Sequence, residues 1–107
     1  MNAAMQRRLR TLVPLACAVG TVSVCNAADA PREPAKLYDQ TCGYCHGVNV
    51  GPVLLGRRLP AAATKVMVRV GLNAMPAFRP TEILDAELDM LARWIESSEA
   101  KVTEHGK

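Results

Sequence analysis

Cysteines stand at positions 42 and 45, and a histidine directly follows the second, giving Cys42-Gly43-Tyr44-Cys45-His46. No other stretch restricts the fold of this 107-residue chain so strongly. Two thiols at that spacing present their sulfurs on neighbouring turns, with an imidazole beside both. This is the attachment pattern of a c-type haem, in which each thiol adds across a porphyrin vinyl group and the histidine binds the iron. Cys42, Cys45 and His46 are therefore the expected cofactor-binding residues. One covalent haem c is the expected cofactor, and His46 its proximal metal ligand.

A Cys-x-x-Cys pair also serves as half of a zinc site or as a thioredoxin-like dithiol, so a protein without haem is the alternative from another class. Zinc needs four ligands. Beyond the motif, and setting aside Cys17 and Cys25 near the start, only His105 remains, close to the C-terminus in a segment expected to fray. A redox dithiol calls for a βαβ setting, which the flanking residues do not suggest.

The first 27 residues have the parts of a secretory signal peptide: Arg7, Arg8 and Arg10 with no acid, an apolar run over 11–24, and Cys25-Asn26-Ala27 before Ala28. The run is short for a bilayer span, so cleavage is favoured over a membrane anchor and the mature chain is placed in the periplasm. Removing the leader leaves ten basic and ten acidic residues, from 13 and 10 in the full chain. A near-neutral chain of about 80 residues lacks the basic excess of a nucleic-acid or membrane-surface binder. It is also marginal for an unaided apolar core, and a covalent haem would supply the missing hydrophobic bulk.

Residues 28–34 are expected to form a flexible lead-in, with the folded domain at 35–98 and a polar tail at 99–107. Pro34 suits the first turn of a helix running from about Ala35 to Thr41 into the haem motif. The segment 47–60, punctuated by Gly47, Gly51, Pro52, Gly56 and Pro60, is expected to wrap over the proximal haem face. In it, the Pro52 carbonyl is the proposed acceptor for the free ring nitrogen of His46. Arg57, with Arg58 beside it, is a candidate partner for a haem propionate. A second helix is expected over Ala61–Val70, ending at Gly71, with its buried stripe at Ala62, Val66 and Val70 or at Ala63, Met67 and Val70. A third is expected from an Asp85 N-cap to Ser97, with Leu84, Leu88, Leu91 and Ile95 along its inner face and Glu87 serving the helix dipole.

The iron also has a distal side, for which the mature chain offers Met67, Met75 and Met90. Met67 and Met90 sit in expected helices, where a thioether most often fills core space. Met75 lies in a loop before Pro76, which holds it extended and fixes the angle at which its sulfur is presented. Met75 is thus the expected second metal ligand, with His105 the competing assignment. His and Met ligation suits electron transfer.

With these residues in place the chain resembles the class I cytochromes c over residues 35–97: an all-α fold of three to four short helices around a covalently bound haem. The resemblance matches Tyr38 and Trp94 to the crossed terminal helices. The segments Tyr38–His46, Gly51–Arg57 and Ala74–Pro80 look like the cytochrome c subunits of p-cresol methylhydroxylase and related 4-alkylphenol-oxidising flavocytochromes. That resemblance implies a partner, an FAD-containing flavoprotein subunit that oxidises the phenol and passes electrons singly to the cytochrome, and then a downstream soluble electron acceptor. The FAD would belong to the partner only, since this chain carries no flavin fingerprint. The tail is longer and more charged than the resemblance implies. A free-standing soluble cytochrome c with several transient partners is the alternative function.

Overall fold

The computed structural model describes residues 30–106. The expected leader and its cleavage site lie outside the described residues. The elements are α1 (Pro34–Thr41), a single 3-10 turn (Cys42–Tyr44), α2 (Ala61–Val70) and α3 (Asp85–Ser97). The small all-α architecture of short helices expected from the sequence is the one observed.

Helix α1 starts where Pro34 has no N–H to lose. The Glu33 carboxylate caps it, accepting from Ala35 N at 3.1 Å and Lys36 N at 2.9 Å. The haem motif is wound as its continuation, with Cys42 O accepting from Cys45 N at 3.1 Å and His46 N at 2.9 Å. Helix α3 packs against both α1 and α2. At the α1–α3 crossing the Tyr38 and Trp94 rings meet with centroids 5.4 Å apart and planes tilted by 53°. Leu37, Tyr38, Leu55, Val68, Ile83, Leu88, Leu91 and Ile95 form the buried core. Each of the larger aliphatic side chains gains about 2 kcal/mol from leaving water.

Helix α2 begins and ends as expected, but its faces differ from both expected stripes. Val66 and Val70 are 62% and 71% exposed, and Val68 is the buried residue. The inner side of this helix faces a cavity with Ala63, Thr64, Met67 and Val68. Met67 is accordingly not the buried filler expected of it, and Met90 is also partly exposed. In α3, Leu88, Leu91 and Ile95 are buried as expected while Leu84 is half-exposed. Asp85 is the first helical residue and not the N-cap. It is the Glu87 carboxylate that reaches back to accept from Leu84 N at 3.0 Å.

Both ends of the described region are more firmly held than expected. Arg32, in the presumed flexible lead-in, donates from its backbone N and Nε to Glu87 Oε1 at 3.0 and 2.8 Å and from Nη2 to Oε2 at 2.8 Å. Glu87 is buried, so these bonds replace lost hydration, and the Arg32 guanidinium holds its carboxyl down at about 2 despite the opposing effect of burial. Residues 101–106 do not fray either: they fold back onto α1 and the loop that follows the haem motif.

Candidate functional site

A cavity of about 590 Å³ opens between the haem motif, the loop after it, α2 and the Met75 loop. Its size is that of a binding site for a small molecule or cofactor. Cys42, Cys45, His46, Pro52 and Met75 all line it, so residues 33 positions apart in sequence converge on one space. Most of the remaining wall is apolar, including Leu54, Leu59, Val68 and Phe78.

On one side, the 3-10 turn and the residue after it offer two free cysteines, Cys42 and Cys45. Cys42 is partly buried, and burial pushes its thiol up to about 11; Cys45 is exposed. His46 Nδ1 lies 2.7 Å from the Pro52 carbonyl oxygen. A carbonyl only accepts, so Nδ1 carries the proton, leaving the Nε2 lone pair free for a metal. Gly51 makes this approach possible. A Cβ there would stand 3.1 Å from both His46 Nδ1 and Cε1.

Across the cavity, the turn Leu72–Met75 is closed by Leu72 N to Met75 O at 3.1 Å and Met75 N to Leu72 O at 2.9 Å. Gly71, at φ +73°, turns the chain out of α2, and a Cβ there would stand 2.7 Å from Met75 O. The loop is then tied back by Phe78 N to Val68 O at 2.8 Å. Arg69 adds bonds to Phe78 O at 3.0 Å and Ile83 O at 2.9 Å, and an ion pair with Asp85 at 2.6 Å. These bonds fix where the Met75 backbone stands.

Met67 also lines the cavity, so two thioethers face it. His105 and Arg57 do not line it. Arg57 is exposed on the turn after Leu55, and His105 pairs through its backbone with the loop after His46. Arg69 escapes sequence reasoning because two of its partners are backbone carbonyls and the third, Asp85, is 16 residues away. Ala63 and Met67, two members of the expected buried stripe Ala63, Met67 and Val70, mark the cavity face of α2.

The donor set fits a haem c: two free thiols for thioether links, an imidazole with a fixed tautomer, and thioethers at an apolar wall. Zinc finds no such support. Among the described residues, no group of three or more Cys, His, Asp and Glu side chains gathers as a metal site. Among them too, no helix is long and apolar enough to cross a membrane.

Comparison with known proteins gives a consistent result. The family model for cytochrome c oxidase, cbb3-type, subunit III matches residues 29–95. The cytochrome c subunit of 4-cresol dehydrogenase (hydroxylating) from Pseudomonas putida is 41% identical over 99 residues, which span 90% of this chain and 88% of that one. A chain in the crystal structure of p-cresol methylhydroxylase with substrate bound is similar at a TM-score of 0.60 and 46% identity, covering 64% of this chain and 95% of that one. The 2.5 Å structure of p-cresol methylhydroxylase gives 0.58 and 46%, covering 62% and 93%.

Proposed function

The chain belongs to the c-type cytochromes, and from that premise we propose that it is a periplasmic one-electron carrier, the cytochrome subunit of a flavocytochrome that oxidises 4-alkylphenols. The observation that carries the reading is the convergence of Cys42, Cys45, His46 and Met75 on one apolar cavity. The similarity to 4-cresol dehydrogenase and p-cresol methylhydroxylase chains supports the choice of complex.

When bound, the haem supplies an iron that alternates between Fe(III) and Fe(II). Everything else falls to the chain. Cys42 and Cys45 anchor the group, and His46 offers Nε2 while Pro52 holds its other nitrogen and raises its basicity. Met75 would offer its sulfur from a loop braced by Arg69. Met67 enters the cavity from a helix, and His105 packs against the proximal loop, away from the cavity. With His46 and Met75 both given to the iron, the chain would leave it no open position for substrate, which suits electron transfer. Arg57 remains a candidate propionate partner through a side chain free to swing. The leader directs export to the compartment where the haem is attached.

The partner is an FAD-containing flavoprotein subunit, which removes two electrons from the phenol and passes them on one at a time. A soluble acceptor then takes each from this chain. Two measurements test the proposal in the periplasmic fraction of a native host. Visible absorption that survives denaturation shows covalent haem, and a flavoprotein copurifying in fixed ratio shows the subunit role. A colourless protein would reject the haem. A coloured protein without a fixed flavoprotein partner would favour the free carrier.

A further inference from the structure

The segment that follows α3 has no part in the relay just described, yet it lies against the proximal loop. Lys101 Nζ pairs with Asp39 Oδ1 at 3.2 Å and stands 5.7 Å from the centroid of the Tyr38 ring. A turn then brings Glu104 N to Lys101 O at 3.0 Å, and Glu104 Oε2 accepts a long bond of 3.4 Å from the Tyr38 hydroxyl. The Glu104 side chain covers Gly47 so closely that a Cβ at Gly47 would lie 2.7 Å from Glu104 Cγ. His105 N donates to Gly47 O at 2.9 Å, and Asn49 N donates to His105 O at 2.9 Å. Gly106 reaches the middle of the loop, where a Cβ would lie 2.6 Å from Val53 N and 3.3 Å from the Pro52 carbonyl carbon.

Three consecutive residues thus touch both ends of the stretch 47–53, which carries the acceptor for His46. We infer that residues 101–106 are a strap that positions the proximal histidine, holding Gly47 and Asn49 at one end and Pro52–Val53 at the other. The inference rests on the haem reading of the site. The loop contains Gly47 and Gly51, and glycine gives the backbone wide freedom when nothing restrains it. The strap removes that freedom and keeps the Pro52 carbonyl within reach of Nδ1. A strong Nδ1–H bond makes the imidazole more basic, which favours Fe(III) over Fe(II). Releasing the strap therefore raises the midpoint potential. Glu104, His105 and Gly106 are positioning residues and touch no metal.

The test compares two variants of the full precursor with the wild type: a chain ending at Ala100, and Gly106→Val, which keeps the length but forces a side chain onto Val53. Glu87→Gln is the control, since it loosens the α1–α3 junction without touching loop or strap. Covalent haem, midpoint potential and exchange of the His46 Nδ1 proton by NMR are measured on each. In both strap variants the haem stays attached, the potential rises and the proton exchanges at least about tenfold faster, as expected when a local opening becomes easier. The control shifts neither. Wild-type potential and exchange in Gly106→Val would overturn the strap, and so would an equal shift in the control, which would mark the effect as general loosening. If the shortened chain does not fold, Gly106→Val decides alone. A wild-type protein without covalent haem would overturn the underlying haem reading and the strap with it.

Discussion

Arg32 Nε and Glu87 Oε1 stand 2.8 Å apart, joining the residue just ahead of the α1 cap to the first turn of α3. The carboxylate is buried and the guanidinium partly exposed, so solvent screens one partner only. The Glu87 carboxyl lies at about 2, below its ordinary 4.5. A depressed carboxyl contributes its stability fully above its unfolded value and loses it as pH falls toward the folded one. The melting temperature should therefore drop between about pH 4.5 and pH 2. In Glu87→Gln it should already be lower at neutral pH, by about 2 kcal/mol or roughly 10 °C, with the acid drop correspondingly smaller. Thermal unfolding by circular dichroism across that range checks both. An acid profile unchanged by the substitution would place the loss in other carboxylates.

Distal ligation separates the two cavity methionines. Met75→Ala should abolish the weak near-infrared sulfur-to-iron band of the oxidised protein and lower the potential, because a thioether favours the reduced metal. Met67→Ala should keep the band. The reverse pattern would transfer the role to α2.

Arg69 braces the distal loop through two carbonyls, and its exposed ion pair with Asp85 adds little. Arg69→Ala should cost about 2 kcal/mol and weaken the near-infrared band, as carbonyls lose charged donors. Arg69→Lys should fail to restore it, since one ammonium lacks the planar fork that serves several acceptors. Asp85→Ala should cost less than about 1 kcal/mol. Denaturant unfolding with absorption on the same samples gives all three values.

Docking of the flavoprotein is expected at the cavity rim, where Ala74 and Pro76 line the cavity and are exposed, with exposed Ala77 directly beside them. Their small side chains suit a flat apolar contact. Ala74→Lys or Ala77→Glu should weaken binding and slow flavin-to-haem transfer while the haem spectrum stays intact, because the contact would strip water from an unpaired charge. Stopped-flow reduction and a binding titration check this. Normal values in both variants would move the interface elsewhere.

Much of the helical frame could be read from the chain. Pro60 and Gly71 bracket α2, and the leucine spacing marks α3, so both bounds follow from local rules. The faces of α2 did not, because helical periodicity assumes a protein core. This helix instead turns Ala63 and Met67 toward a cavity, leaving Val66 and Val70 outside. Glu87 looked like a helix-end charge since its partner, Arg32, is 55 residues away, and no spacing rule reaches that far. The fold-back of residues 101–106 was hidden for another reason. Backbone bonds such as His105 N to Gly47 O depend on no side-chain type, and a polar segment without apolar anchors reads as solvent-facing.

The packing of Gly106 against Val53 also has a practical side for anyone handling the protein. An affinity handle inserted directly after Gly106 would adjoin a glycine with no room for a side chain. Such a handle would pull on the contact between Gly106 and Val53 whenever it was gripped or crowded. Potentials and partner affinities measured on material tagged there would report a perturbed protein. Labels, tethers to an electrode and purification tags belong instead on exposed side chains away from the loop and the strap, such as Glu96 of α3.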